Sequence, residues 1–163
     1  MTRIAICTGD DDLTLADFRT VLAEYFEHLT LTWSDPDPPR WQRELDGLPG
    51  AFARPEGRML VAYVGDEPAG IVAIVGREDA DCEVKRLYVR PQHRRLGVSR
   101  ALMQRAMSEA AEAGYCVMRL GTSRDFGEAL ALYDSLGFER SERFREGFTD
   151  RAVFMSRPLD RDE

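Results

Sequence analysis

A basic turn in the middle of the chain has the residue types needed to bind a phosphate. The alternation of apolar and polar residues at 84–89 predicts a strand, and helical spacing of apolar residues from Ser99 onward predicts a helix that begins just after Gly97. Arg94 and Arg95 lie in the turn between them. A helix N-terminus offers backbone N–H groups and the positive end of the helix dipole. Together with the guanidinium groups, this arrangement favours binding of a phosphate.

The glycine content of this turn excludes two common phosphate-binding loops. A P-loop requires G-x-x-x-x-G-K-[ST], and a dinucleotide-binding loop requires three spaced glycines. Gly97 stands alone in the turn, so the sequence fits neither pattern.

Residues 94–99, R-R-L-G-V-S, resemble the pyrophosphate-binding loop of the GNAT superfamily of N-acetyltransferases. That loop reads Gln or Arg, two residues, Gly, one residue, then Gly or Ala. Ser99 departs from the pattern at the last position, where its side chain could narrow the approach of the phosphate.

A second stretch, E-A-L-A-L-Y-D-S-L-G-F at 128–138, strengthens the resemblance. Members of the superfamily carry Ala, two residues, Leu-Tyr, three residues and Gly-Phe at the same place, and here Tyr133 is the tyrosine. Many members also have an Asn seven residues earlier that contacts the pantetheine, where this chain has Phe126. Two motifs in the correct order identify the chain as a member of this superfamily.

Length and composition fit one domain, 1–163, with a single core. The chain has 163 residues, of which 44% are hydrophobic and 31% charged. Its net charge of −7 argues against a nucleic-acid-binding surface. The acidic balance mildly favours a cationic substrate such as an amine, although an acidic surface usually serves solubility alone.

The cysteine spacing and hydropathy predict a cytoplasmic protein without a metal. Cys7, Cys82 and Cys116 are scattered, with no C-x-x-C pair, so neither a disulfide framework nor a zinc site is expected. The sequence shows no leader pattern and no apolar run long enough to span a bilayer, so no membrane partner is expected.

The periodicity of the chain predicts a mixed α/β fold. Glycines, prolines and apolar spacing favour helices at 14–29, with a capping box at Thr14 and Asp17, and at 41–48, 99–113 and 128–136. They favour strands at 4–6, 58–64, 69–75, 83–89, 116–120, 138–142 and 152–155, with irregular segments at 30–40 and 143–150. Three antiparallel strands in a row, followed by alternating helices and strands, predict a mixed, mostly antiparallel sheet with helices on both faces.

The resemblance implies a fold and a cofactor site for acetyl-CoA. In the superfamily, the strand before the pyrophosphate loop and the strand after the long helix splay apart, and the pantetheine lies between them. The backbone of Leu87, Tyr88 and Val89 would then pair with the pantetheine amides, and the N–H groups of Arg95, Leu96, Gly97, Val98, Ser99 and Arg100 would face the pyrophosphate beside Arg94. Tyr133 would lie near the cofactor sulfur and protonate the leaving thiolate.

The resemblance also places a carboxylate, Glu83, where it could act as a base toward the acceptor amine, directly or through water. Strict alternation puts Glu83 on the face of Lys85, Leu87 and Val89, barring a bulge. A strand carboxylate more commonly pairs with a neighbour, here Lys85 or Arg86.

Aromatic residues of the first helices could line the acceptor site. Tyr25 and Trp33, together with Phe26 and Trp41, lie on the segment that walls this site in the superfamily. Aromatics at helical spacing usually pack into the core instead.

The sequence therefore predicts an acetyl-CoA-dependent N-acetyltransferase that moves an acetyl group to a primary amine of a small molecule or peptide by direct attack in a ternary complex. Two alternatives stay open: a non-catalytic acyl-CoA-binding sensor of the same fold, and an enzyme acting on tRNA, which the acidic balance disfavours. Acetyl is not distinguished from a longer acyl group. Homodimers are common in the superfamily, so a homodimer is one expected assembly.

Overall fold

One twisted sheet runs through the computed structural model, which describes residues 3–33 and 35–160. Within those ranges the sheet has seven strands in the order β1-β2-β3-β4-β5-β7-β6. Their bounds are β1 Ile4–Thr8, β2 Arg58–Val64, β3 Glu67–Gly76, β4 Asp81–Val89, β5 Val117–Ser123, β6 Glu139–Arg140 and β7 Ala152–Pro158. The pairing of β4 with β5 is parallel and the other pairings are antiparallel. The predicted mixed, mostly antiparallel sheet is confirmed.

Four α-helices cover the sheet in the described part of the chain: α1 Asp12–Thr32, α2 Pro38–Asp46, α3 Val98–Glu112 and α4 Gly127–Ser135. Side chains of α1 and α2 form one apolar cluster with Ile71 and Tyr88. Side chains of α3 and α4 form another with Leu60 and Val84. The sheet is thus buried on both faces, as the sequence predicts. None of the helices in residues 3–33 and 35–160 is both long and apolar enough to cross a membrane.

The first helix begins earlier and ends later than its sequence pattern predicts. Asp11 is the N-cap and accepts a hydrogen bond from the Thr14 backbone N–H at 2.8 Å, so the predicted capping box at Thr14 is wrong. The predicted irregular segment from 30 to 40 is partly helical, because α1 continues to Thr32 and α2 begins at Pro38. Proline is compatible with the first helical turn, where its missing N–H has no intrahelical partner.

A β-bulge interrupts β4 and changes the face of its side chains. Tyr88 pairs with Ile71, but Lys85 pairs with Ala73, so β4 has one extra residue between these pairs. Arg86 adopts a left-handed φ of 61° at this point. Since the side-chain period of a strand is two, the extra residue places Tyr88 on the face of Glu83 and Lys85. The expectation that Glu83 shares a face with Leu87 and Val89 is therefore wrong, for the reason that strict alternation fails at a bulge.

The strands β4 and β5 separate shortly after they meet. They pair only at three positions, the last of which joins Glu83 to Arg119. Beyond this pair, β4 continues to Val89 and β5 to Ser123 without pairing to each other. The separation leaves an edge of β4 open toward β5 across the middle of the sheet.

Candidate functional site

A cavity of about 550 Å³ lies where β4 and β5 separate. Its walls come from α1, α2, both separated strands, the start of α4 and the loop before β7. This volume falls within the range typical of small-molecule sites. The topology therefore places one cleft at the gap between β4 and β5, bordered by helices from both faces of the sheet.

The turn before α3 is open and has the geometry expected of an anion site. Gly97 is the residue before the helix and has a left-handed φ of 85°, and Arg95 is also left-handed with a φ of 64°. No side chain in the described ranges caps the first N–H groups of α3. A Cβ built on Gly97 would meet no heavy atom within 4 Å. The amides at this helix start are thus accessible to a ligand.

The arginine side chains of this turn point in different directions. Arg94 Nε donates to the carbonyl of Val89 at 3.1 Å, and its guanidinium lies 5.7 Å from the Tyr88 ring centroid. Arg94 therefore faces the cavity. Arg100 instead donates to the Ser135 hydroxyl at the end of α4, at 2.8 Å.

Tyr133 lies on α4 at the wall of the cleft. Its side chain is buried, and its ring packs edge-on against Phe138 with centroids 6.0 Å apart. Burial, and after it the neighbouring Tyr25, raises the pKa of the Tyr133 phenol well above its usual value. The phenol therefore keeps its proton throughout the neutral and mildly alkaline range.

Glu83 is buried on the floor of the cleft and faces two arginines, one from the loop before β7 and one from the turn before β4. Both of its carboxylate oxygens accept hydrogen bonds from Arg145, at 2.9 to 3.1 Å, and Arg77 lies 3.9 Å away. The sequence-based alternative of a pairing with Lys85 or Arg86 is wrong, because Arg86 binds Glu44 of α2 at 2.8 Å. The lone pairs of Glu83 are largely occupied by Arg145.

Lys85 is the site residue that sequence reasoning considered only as a partner for Glu83. Its side chain is half-buried and lines the cavity on the face of Glu83 and Tyr88. Among residues 3–33 and 35–160, no group forms a hydrogen bond or ion pair with its ammonium. A signal was present in the sequence: of the 22 lysine and arginine residues, Lys85 is the single lysine.

Aromatic side chains from α1 and β4 form one wall of the cavity. Tyr25 of α1 stacks on Tyr88 with centroids 5.0 Å apart, and both rings line the cavity. Phe26 and Trp41 lie parallel with ring centroids 5.2 Å apart; Trp41 also lines the cavity, whereas Phe26 does not. Phe26 is therefore a packing residue, while Tyr25 reaches the cleft.

Phe126, which stands where many superfamily members carry the Asn that contacts the pantetheine, places an aromatic ring at the wall of the cavity. Phe126 precedes α4 and stacks on Trp33 at the end of α1, with centroids 5.9 Å apart. Both rings line the cavity. This pair links the C-terminal end of α1 to the loop after β5.

The structure brings together only part of the predicted set. Residues that line the cavity are Tyr25, Trp33, Glu83, Leu87, Tyr88, Arg94 and Tyr133. The other predicted residues lie beyond the edge of the cavity. They are Val89 at the end of β4 and, at the start of α3, Arg95, Leu96, Gly97, Val98, Ser99 and Arg100. No cluster of three or more His, Cys, Asp or Glu suited to a metal ion occurs within the described ranges.

Comparison with known proteins gives one consistent family. The family model described as acetyltransferase (GNAT) family matches residues 18–138. The uncharacterized N-acetyltransferase YsnE of Bacillus subtilis is 33% identical over 153 residues, which span 91% of this chain and 97% of the relative.

Solved structures agree in fold. The PaiA N-acetyltransferase of Thermoplasma acidophilum, solved in complex with coenzyme A, has a TM-score of 0.74 at 17% identity and covers 96% of this chain and 99% of its own. YncA of Salmonella typhimurium, solved with its cofactor acetyl-CoA, has a TM-score of 0.68 at 23% identity, with coverage of 98% and 95%. At these identities the two structures show a shared fold.

Proposed function

Because this chain belongs to the GNAT acetyltransferase family and is an N-acetyltransferase, we propose that it transfers the acetyl group of acetyl-CoA to a primary amine by direct attack in a ternary complex. The observation that carries the proposal is the separation of β4 from β5 beside the open N-terminus of α3. A thioester arm fits an open strand edge, and a diphosphate fits an uncapped helix start.

In the proposed complex, the pyrophosphate binds the amides of residues 95–100 and the pantetheine runs along β4. Leu87 and Tyr88 offer backbone groups on the strand that β5 has left. The Val89 carbonyl already accepts a hydrogen bond from Arg94, so a pantetheine amide at that residue would use the second lone pair of the oxygen. Gly97 allows a close approach because it adds no Cβ at a left-handed position.

Tyr133 is the proposed general acid. Its position at the wall of the strand gap supports this role, and its raised pKa means that it enters the reaction protonated. In the proposed step, the acceptor nitrogen bonds to the acetyl carbon, the carbon–sulfur bond breaks, and the phenol donates its proton to the thiolate. The acylated nitrogen then loses its extra proton to solvent, from which the phenolate regains one.

The role of Glu83 as base is the less direct part of the proposal. Its carboxylate borders the acceptor cavity, but Arg145 occupies both of its oxygens. We therefore propose that a proton from the acceptor ammonium reaches Glu83 through water. A cytoplasmic location and a homodimer stay predictions.

The test is acetyl-CoA-dependent release of thiol by the purified protein with a panel of primary amines, read with a thiol-reactive dye. Cys7 and Cys116 are exposed, so a blank with protein and acetyl-CoA alone is subtracted. Mass spectrometry of the amine confirms that the acetyl group was transferred.

Amine-dependent thiol release with a matching acetylated product supports the proposal. Binding of acetyl-CoA by calorimetry without transfer to any amine would instead favour the non-catalytic sensor. Equal or faster reaction with a longer acyl-CoA would replace acetyl by that acyl group.

A further inference from the structure

The buried end of the acceptor cavity carries more positive than negative charge. Glu83 faces Arg145 and Arg77, and Glu44 faces Arg86. Each carboxylate is therefore already matched by at least one guanidinium. Lys85 lies among these pairs and adds a further positive charge.

The acids that also line the cavity lie at its exposed rim. Asp37 caps α2 and Asp125 binds Arg151, and Asp35 and Glu128 are solvent-exposed as well. The exposed rim thus carries acids together with Arg40, and the buried floor carries an excess of positive charge. An uncharged or purely cationic acceptor would leave the floor without a counter-charge.

Lys85, which carries the extra positive charge, lies close to the proposed site of the reaction. Lys85 is two residues beyond Glu83, the last residue of β4 that pairs with β5. Lys85 therefore lies in the cavity wall next to the point at which the gap between β4 and β5 opens. A group bound there would be a short distance from the nitrogen that attacks the thioester.

We propose that Lys85 binds the carboxylate of the acceptor, and that the acceptor is accordingly an amino acid or another small molecule with an amine and a carboxylate close together. This inference rests on the proposed function and names its substrate class. The rings of Tyr25 and Tyr88 border the same space and would contact the rest of the acceptor.

The protonation of Lys85 sets a pH limit for this contact. Burial, followed by Arg86 on the same strand and Arg145 on the loop before β7, lowers the pKa of the Lys85 ammonium to about 8, against the opposing effect of Glu83 and Glu44. Tyr25 and His28 of α1 line the same cavity. At neutral pH the ammonium is still about 90% protonated, so it offers a positive charge.

Wild-type protein alone provides the first experiment. Values of kcat/KM are measured for paired probes that differ by the carboxylate: L-phenylalanine with 2-phenylethylamine, L-tryptophan with tryptamine, and L-methionine with its methyl ester. A preference of roughly tenfold to hundredfold for the acid in at least one pair is expected, as for a charge-assisted hydrogen bond in a partly buried site. Acetylation of the amines and ester without any preference for the acids would overturn this inference and leave the proposed transfer standing. No acetylation of any probe, or of a wider amine panel, would overturn both.

The variant Lys85→Met tests the assignment to this residue. The acid-to-amine ratio of kcat/KM is expected to fall toward one, mainly through a higher KM for the acid. Arg43→Met is the matched control, since Arg43 is an exposed cation of α2 outside the cavity lining, and this variant should keep the ratio. A general loss of kcat on both members of each pair, with the ratio kept, would show that Lys85 acts in catalysis and not in binding the carboxylate. Thermal unfolding of both variants establishes that the comparison is made on folded protein.

Inhibition by N-acetyl-L-phenylalanine gives a readout of charge, because this probe has no titrating amine. Its inhibition constant should be constant below pH 8 and rise above it, as Lys85 loses its proton. N-acetyl-2-phenylethylamine should show no such rise. Equal pH dependence of the two inhibitors would overturn the role of the Lys85 charge.

Discussion

The turn before α3 offers a matched test of cofactor binding, because α3 has a left-handed glycine at each end. Gly97 precedes the helix with a φ of 85°, and Gly114 follows it with a φ of 99°. A Cβ at either position would meet no heavy atom within 4 Å. The substitutions Gly97→Ala and Gly114→Ala therefore introduce the same backbone strain with no steric overlap in the protein.

The two variants should lose similar stability. A left-handed conformation costs an alanine roughly 1–2 kcal/mol, part of which is offset by the lower entropy of the unfolded chain. For a domain of this length each kcal/mol corresponds to about 2–4 °C in Tm. Thermal unfolding should thus show a loss of a few degrees in both.

Only Gly97→Ala should weaken acetyl-CoA binding. The new methyl group and the relaxed backbone would disturb the amides that face the pyrophosphate, and each lost charge-assisted hydrogen bond costs about 1.5–3 kcal/mol. At 1.4 kcal/mol per decade, this raises Kd by roughly 10- to 100-fold. Calorimetric titration with acetyl-CoA measures the difference. Equal Kd values for the two variants would refute the assignment of the pyrophosphate to this helix start.

Three further substitutions test other parts of the site. Tyr133→Phe should lower kcat by about 10²- to 10⁴-fold with little change in the Kd of acetyl-CoA; a wild-type rate would remove the acid role. Arg145→Met leaves Glu83, whose side chain is 4% exposed, with one guanidinium at 3.9 Å. Urea unfolding should show a loss of about 1–3 kcal/mol, less than for a fully buried pair because that second partner persists; unchanged stability would show that the pair contributes little. Phe126→Asn should tighten acetyl-CoA binding by about 2- to 10-fold if the amide reaches the pantetheine, and weaker binding would show that the ring itself contacts the cofactor.

Local sequence signals predicted most of the fold. Gly97, Gly114 and Gly137 all have positive φ values, of 85°, 99° and 88°, at the helix boundaries where the sequence places them. The antiparallel pairing of β2 with β3 is also as predicted, but the hairpin turns at Gly65 and Asp66 alone, because β3 begins at Glu67 and not at Ala69. These positions are predictable because each depends on the conformational freedom of one residue or on a short apolar period.

The bulge in β4 could not be predicted from residue types. Its left-handed residue is Arg86, and an arginine gives no indication of a positive φ. The partner of Glu83 was equally hidden, since Arg145 lies 62 residues further along the chain. Lys85 is a different case. The sequence shows that it is the single lysine, but only the fold shows that it lines a cavity.

The bulge determines which side chains of β4 lie on the proposed acceptor side of the sheet. Without the extra residue, strict alternation would place Leu87 and Val89 beside Lys85, and the face toward α1 would be apolar after that residue. With the bulge, Tyr88 lies on that face and stacks with Tyr25, while Val89 joins the core beneath α3. The proposed cofactor side depends on glycines, helix starts and backbone groups, all of which can be predicted from one continuous segment of the sequence. The proposed acceptor side depends on side chains from α1, β4 and the loop before β7, which come together only when the sheet has formed. The sequence alone therefore predicts the family but does not predict the substrate.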